Sequence, residues 1–462
     1  MAVASWLLLA ACTSSSSGAA PTGTARPRQT TGTGSTSPTQ TVEEPPAYTE
    51  PLVLAVDVHS GEIDVSARMA RRIVGGQVAD WSALGQAPGA LTVKRGPRAL
   101  AAAERSPDVI AVVPASSVGP TVRALSVDGI DPLRHPVRYP LRTPTTTPPP
   151  VVSVVTVVGD IMLGRGVGAA SAGDPGAALR PLQQRLAAAD LTVGNLESTL
   201  SDDGYPRQGD DSFAADPAVL GPLDRAGFDV LSLANNHSGD YGDHALRQTL
   251  RRIGASPIRS VGAGRNARAA WRPVVLRRHG VSFGFVAFNA IGETPRATAD
   301  SPGAAEIRMP PRTGPLNLDD LHRMIDVVSE LAEQVDVVLV LPHWGEQYTN
   351  APVPAQRRVG AALVDAGADI VIGGHPHWVQ GVQRRSGALI AQSLGNFIFD
   401  MDSPETQEGV MLDLVYWGDQ LRGVDFTPYV IGSDYAPRPV AGPRAETILD
   451  RMWETSDPPF RR

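Results

Sequence analysis

From residue 151 onward, short apolar runs rich in Val, Ile and Leu alternate with stretches of helical periodicity. Residues 151–158, 191–193, 228–233, 281–288, 335–341, 369–372 and 388–394 have the length and β-branched content of buried strands. Between them, 176–189, 216–227, 243–253, 318–333 and 354–366 read as helices. Asp216-Pro217 supplies an N-cap and a proline at the first helical position, and Gly227 supplies a stop. Residues 274–276 pair with 281–288 as a hairpin around His279-Gly280, and 411–417 with 423–429 form a closing hairpin. Strands alternating with helices define the fold class as α/β. A separate small pattern lies upstream, with strands at 52–56 and 109–114 and a helix at 64–74. No repeat of fixed period is visible.

Composition divides the chain further. Residues 13–50 are rich in Ser, Thr, Pro and Gly and carry too little apolar surface to fold, so they read as a flexible tether. Residues 143–150 are a second Pro/Thr linker. The expected organisation is a signal peptide at 1–12, the tether at 13–50, a small α/β module at 51–142, the linker at 143–150, a large α/β domain at 151–437 and a tail at 438–462. The net charge of -7 argues against a nucleic-acid footprint. Cys12 is the single cysteine, which excludes an intrachain disulfide and a cysteine-ligated zinc site. It ends the apolar run Trp6-Leu7-Leu8-Leu9-Ala10-Ala11-Cys12, a secretory h-region too short to span a bilayer. Leu9-Ala10-Ala11-Cys12 resembles a bacterial lipobox, which implies lipidation of Cys12 and a location on the outer face of the cell membrane. No Lys or Arg precedes the run.

Within the module, residues 75–85 and the stretch Val122-Arg123-Ala124-Leu125-Ser126-Val127-Asp128-Gly129 resemble parts of periplasmic phosphate-binding proteins. The likeness covers far less than a two-lobed binder and brings no evident anion-binding set of Ser, Thr and Arg. The module therefore reads as structural.

The candidate chemistry sits where the strands of the large domain end. Gly159-Asp160-Ile161-Met162-Leu163-Gly164-Arg165 follows the first strand, Gly194-Asn195-Leu196-Glu197 the second and Ala234-Asn235-Asn236-His237 the third. Later come Pro342-His343-Trp344-Gly345-Glu346, then Gly373-Gly374-His375-Pro376-His377, then Gly395-Asn396-Phe397. Sites in α/β sheets form beyond the carboxyl ends of strands, so these residues are expected to share one pocket. Four of the nine histidines fall here. Two histidines one residue apart, after two glycines that permit a sharp turn, can aim both rings at one spot. Carboxylate, amide and imidazole together suit Mn, Fe, Zn or Mg. Arg165 is a candidate partner for an anionic substrate group, and Glu346 a candidate to orient His343. Trp344, Tyr348 and Trp378 read as packing residues. His59, His135, His244, His279 and His322 receive no role.

The order of these motifs resembles the CapA family of bacterial capsule-synthesis or poly-gamma-glutamate biosynthesis proteins, over about residues 151–437. That family is similar to calcineurin-like metallophosphoesterases. The resemblance implies a four-layer α/β/β/α sandwich with a two-metal centre at the strand ends. Carried over, Asp160 is a ligand of the first metal together with His377. Glu197 stands at the bridging position, and Asn236, His343 and His375 hold the second metal. His237 is the acid or transition-state donor, and Asn396 supports a ligand from behind. Two departures bear on the metal count. The usual Asp-x-His is Asp160-Ile161-Met162 here, and Glu197 replaces an aspartate, so one ion or two are open. The implied function is a membrane-anchored, metal-dependent hydrolase acting on an anionic extracellular polymer or its precursor, with a membrane synthase complex as possible partner. A general metallophosphoesterase, or a non-catalytic polymer-binding scaffold, are the alternatives.

Overall fold

The computed structural model of the protein describes residues 48–171 and 173–462. Cys12, the expected signal peptide and nearly all of the 13–50 tether lie outside the described residues.

Two mixed sheets stack face to face. In the first, Arg259–Val261, Phe228–Ser232, Leu191–Leu196 and Val152–Ile161 run parallel, and Glu408–Trp417, Gln420–Ile431 and Pro437–Pro439 continue the sheet antiparallel. Asn396–Ile398 adds a short parallel pairing at the end of Val152–Ile161. In the second sheet, Val281–Asn289, Val337–His343, Ile370–Ile372 and Ala388–Leu394 run parallel, flanked by antiparallel Val274–Arg278 and Val379–Arg385.

Side chains alternate along these strands and divide the interior into three apolar layers. Val155, Val157, Leu191 and Val193 of the first sheet share the central layer with Phe283, Phe285, Val337 and Leu339 of the second. Val158, Ile161, Leu186, Leu223 and Ile253 form a layer on the outer face of the first sheet. Val338, Val340 and Val371 turn the other way, onto Met324, Val328, Val359 and Leu363 from the helices Leu318–Ala332 and Pro354–Asp365. Strands covered on both faces have no polar face, which is why their sequences are continuous apolar runs. The result is the four-layer α/β/β/α arrangement.

The upstream module is a five-stranded sheet around Tyr48–Asp57, which pairs with Val109–Pro114, Val122–Ala124 and Arg142–Thr145. The first residues of the 143–150 linker are thus part of a strand. The module rests on the large domain through Val53, Ala55, Val113 and Leu133, which pack with Val415 and Trp417. Trp417 Nε1 donates to the Leu133 carbonyl at 2.8 Å. Arg134 bridges outward to Asp413 at 2.9 Å and Asp425 at 2.7 Å.

Other stretches also differ from the sequence-based expectation, and the helix expected at 64–74 starts at Ala67, after the short strand Asp64–Val65. The helix expected at 176–189 is broken into Ala177–Leu179 and Gln183–Ala187. Pro181 lies between them and cannot continue a hydrogen-bonded turn. Residues 438–462, set apart from the sequence as a tail, contain the helix Pro443–Glu454. Ile448 and Met452, four residues apart, bury one face of it in the central layer together with Trp453 and Phe460. Trp453 meets Phe426 edge-on at a centroid distance of 4.9 Å.

Trp453→Ala is therefore expected to lower unfolding free energy by about 3–5 kcal/mol, measured by urea unfolding of the full chain. A loss below ~1 kcal/mol, the level of an ordinary surface change, would mean that this helix is only loosely docked.

Candidate metal centre

Parallel strands from both sheets end on one side of the sandwich, and the polar residues converge there. Asp160 is near the end of its strand, with Asn195 and Asn396 as its ladder partners on either side. His343 ends its strand opposite Gly374. The sheets approach because Gly374 has no side chain: a Cβ there would lie 2.4 Å from Asp160 Oδ1. The Asp160 carboxylate is fixed from both sides. Its Oδ1 accepts from Asn195 Nδ2 at 2.8 Å, and its Oδ2 accepts the His375 backbone N–H at 3.0 Å. His375 and His377 have φ values of 97° and 59°, left-handed conformations that non-glycine residues rarely adopt. This backbone places both rings on the same pocket with centroids 5.8 Å apart. Each such residue costs of order 1–3 kcal/mol, which the surrounding packing has to offset.

Two overlapping groups of donors result. Ligand atoms of Glu197, His343 and His375 lie within 4.8 Å of one another, as do those of Asp160, Glu197 and His377. Glu197 belongs to both. Asn236 Oδ1 joins the first group, 2.8 Å from His343 Nε2. Glu197 is fully buried, yet neither carboxylate oxygen has a hydrogen-bond partner, and neither ring nitrogen of His375 has one. A buried carboxylate without a donor or counter-charge is costly. A divalent cation satisfies such a set, and the residues present fit one.

The electrostatics of the metal-free cluster point the same way. Burial, reinforced by the charge of Glu197, pushes the Asp160 carboxyl up to about 7. Burial also raises Glu197. It lowers His343 to about 4 and holds His375 well below the ordinary imidazole range, with His377 lowered too. Every group is driven toward neutrality, a preference that a bound cation reverses for the carboxylates.

Further contacts orient these side chains. His377 Nδ1 is 2.8 Å from Asn396 Oδ1 and 3.8 Å from Asp160 Oδ2, and Nε2 lies 3.4 Å from Gln347 Nε2, so the ring is held from both sides. Asn195 also contacts His343 Nδ1 at 3.2 Å and accepts from Asn235 Nδ2 at 3.0 Å. Asn235 Oδ1 in turn accepts the backbone N–H groups of His237 and Ser238, closing the turn that carries Asn236 and His237. His237 Nδ1 lies 2.8 Å from Asp240 Oδ2, and Nε2 lies 3.8 Å from Glu197 Oε1. Its ring stacks on Phe213 with centroids 3.7 Å apart. Burial disfavours the His237 cation, but the Asp240 hydrogen bond and the Glu197 charge outweigh it and raise the imidazole above its ordinary range.

The structure thus brings Asp160, Glu197, Asn236, His237, His343, His375, His377 and Asn396 together. Two expected contacts are not made. Glu346 is exposed and does not orient His343, whose ring is met by Asn195 and Asn236 instead. Arg165 is not a free guanidinium. It forks onto Asp400 through Nε at 3.2 Å and through Nη2, and lies over Phe213 at 4.4 Å. Its link to the pocket runs through that ring to His237. Trp344 is fully buried, while Tyr348 is half exposed and stacks toward His377. Met162, in the position of the absent histidine, is buried and its sulfur faces the Gly164 N–H. Sequence reasoning placed Asn195 in the pocket without a role and missed Asp240 and Glu293 as contributors. Asp240 had a usable signal, its position three residues after His237; Glu293 had none.

A two-sheet α/β sandwich whose strand ends assemble a buried carboxylate, amide and imidazole cluster around a shared glutamate defines a protein organised about a candidate divalent-metal centre. Residues 154–401 match the family described as "Bacterial capsule synthesis protein PGA_cap", and the chain belongs to that family. It is 31% identical over 293 residues to the capsule biosynthesis protein CapA of Bacillus anthracis, covering 62% of this chain and 69% of that one. It is 30% identical over 307 residues to the PGA biosynthesis protein CapA of Bacillus subtilis (strain 168), covering 65% and 77%. Among solved structures, a putative 5'-nucleotidase from Staphylococcus aureus aligns with a TM-score of 0.39 at 16% identity, over 64% of this chain and 57% of that one.

Glu197→Gln replaces a buried carboxylate whose oxygens accept no hydrogen bond. In EDTA the variant is expected to be at least as stable as the parent, by up to ~2 kcal/mol. With Mn2+ the order inverts, because the parent gains about 2.7 kcal/mol at a hundredfold excess over its dissociation constant and the variant does not. Thermal melts with and without the ion check both halves.

Proposed function

We propose that this chain is a cell-surface protein of capsule or poly-gamma-glutamate biosynthesis. In this reading a metal-dependent hydrolase-like site acts on an anionic extracellular polymer, its precursor or its anchor. Family membership supports the process. The observation that carries the hydrolytic part is the sharing of Glu197 between two donor groups, the arrangement that holds two cations side by side. Asp160, Glu197 and His377 would hold one ion, and Glu197, Asn236, His343 and His375 the other, with Mn, Fe, Zn or Mg as candidates. A metal held there would lower the pKa of a bound water and polarise the scissile group.

The protein's own groups do the rest. Water oxygen forms the new bond to phosphorus or carbonyl carbon, the bond to the leaving atom breaks, the His237 Nε2 proton goes to that atom, and the proton lost by the water restores His237. Asp240 holds the Nδ1 proton and thereby the ring orientation, and Phe213 fixes its plane. Asn396 holds the His377 ring in place through its contact with Nδ1. At the N-terminus, Cys12 is the proposed lipid attachment and residues 13–50 the tether that stands the domains off the membrane, within reach of a synthase complex.

The test uses the metal-replete chain with an aryl phosphodiester and a gamma-glutamyl amide. Turnover of either, falling about 10²–10⁴-fold in His237→Ala with metal content unchanged, is the expected result. Turnover of the phosphodiester alone favours a general metallophosphoesterase. A protein that holds metal and turns over neither is a polymer-binding subunit, and the catalytic reading fails. For the anchor, Cys12→Ala is expected to move the protein from the membrane to the soluble fraction of fractionated cells; retention in the membrane fraction would overturn it.

A further inference from the structure

Glu293 belongs to neither donor group, yet its carboxylate meets the site. Oε2 accepts from Asn236 Nδ2 at 2.9 Å, and Oε1 accepts from Arg312 Nη2 at 2.9 Å. The first contact decides how the Asn236 amide points. An amide offers an oxygen on one side and an NH2 on the other, in nearly the same shape, so turning it over changes a ligand into a repelling donor. With Nδ2 claimed by Glu293, Oδ1 is left facing His343 Nε2 at 2.8 Å.

The loop that delivers Glu293 is built for this placement. Gly292 and Glu293 both have left-handed φ values, 87° and 63°. The glutamate's conformation is strained, of order 1–3 kcal/mol, and persists only where the surroundings over-determine it. Asn289 Nδ2 donates to the Gly292 carbonyl at 2.8 Å. Buried Thr294 Oγ1 accepts the Gly239 N–H at 2.9 Å, which ties the loop to the turn that carries Asn236 and His237. Arg312 takes the second carboxylate oxygen and balances its charge.

We propose that Glu293 is a positioning residue that locks the Asn236 amide with its oxygen toward His343 and Glu197, with Arg312 bracing the carboxylate. Asn236 then completes the donor group of Glu197, His343 and His375 as a neutral oxygen ligand. This rests on the reading of the cluster as a metal centre, and the two fail separately in the test.

The experiment is calorimetric titration of the full chain with Mn2+, without substrate. Glu293→Ala is expected to weaken one binding event about 10–100-fold, the usual loss when a group supporting a ligand is removed. Glu293→Gln keeps an oxygen acceptor toward Nδ2 and is expected to stay within about threefold of the parent. In an Asn236→Asp background either side of the side chain presents an oxygen, so adding Glu293→Ala is expected to leave the affinity unreduced. Melting temperatures in EDTA identify any variant that is merely misfolded. Parent-like Mn2+ affinity in Glu293→Ala would falsify the positioning role. So would a Gln variant as weak as the Ala variant, or a full loss in the Asp background. A parent chain that binds no Mn2+ overturns the metal reading together with this one.

Discussion

A fully buried carboxylate without a hydrogen bond, Glu197, is the constraint on which the rest of the site turns. In an apolar interior an isolated negative charge is so unfavourable that either a proton or a cation must answer it. The fold surrounds it with imidazoles rather than with lysine or arginine. His343 Nε2 lies 3.4 Å from one of its oxygens and His237 Nε2 lies 3.8 Å away. His343, pushed by burial toward the neutral form, is a poor counter-charge and a good ligand. The site is thus electrostatically incomplete by its own residues and complete with a divalent ion.

Assembling that cluster requires strand ends of two stacked sheets to come together, which costs backbone freedom. Gly374 lets one sheet's strand end come against Asp160 of the other, and His375 and His377 adopt left-handed backbone to turn their rings inward. Amides then do much of the orienting. Asn195, Asn235, Asn236 and Asn396 each link a ligand or its turn to a neighbouring strand end. An asparagine offers both a donor and an acceptor without adding charge, which suits a pocket whose charge must be left for the metal.

The strands and most of the helices were legible in the sequence because each strand is covered on both faces and writes a continuous apolar run. Boundaries were less legible. The Val337–His343 strand carries Pro342 and His343 inside it, so what reads as a loop histidine is a strand residue. The candidate ligands were legible from their recurrence at strand ends. What sequence adjacency cannot give is direction. Glu346 follows His343 by three residues, but the chain turns at Gly345, with φ of 94°, and carries Glu346 to the surface. Asp400 lies 235 residues from the Arg165 that it captures, and no local pattern joins them. The helix Pro443–Glu454 was missed because its apolar positions are few and its contribution lies in the partners it finds.

The central strand Val152–Ile161 has one neighbour close in sequence, Leu191–Leu196, and another, Glu408–Trp417, that arrives much later. Thr156 and Asp413, which share a buried hydrogen bond, are 257 residues apart. Closing so long a loop precedes any reward from the contact, so folding of this topology is intrinsically slow. A nascent chain cannot complete its middle layer until the late hairpin has left the ribosome. Until then the apolar side chains of that layer lack their cover, the kind of surface that a holding chaperone shields from aggregation.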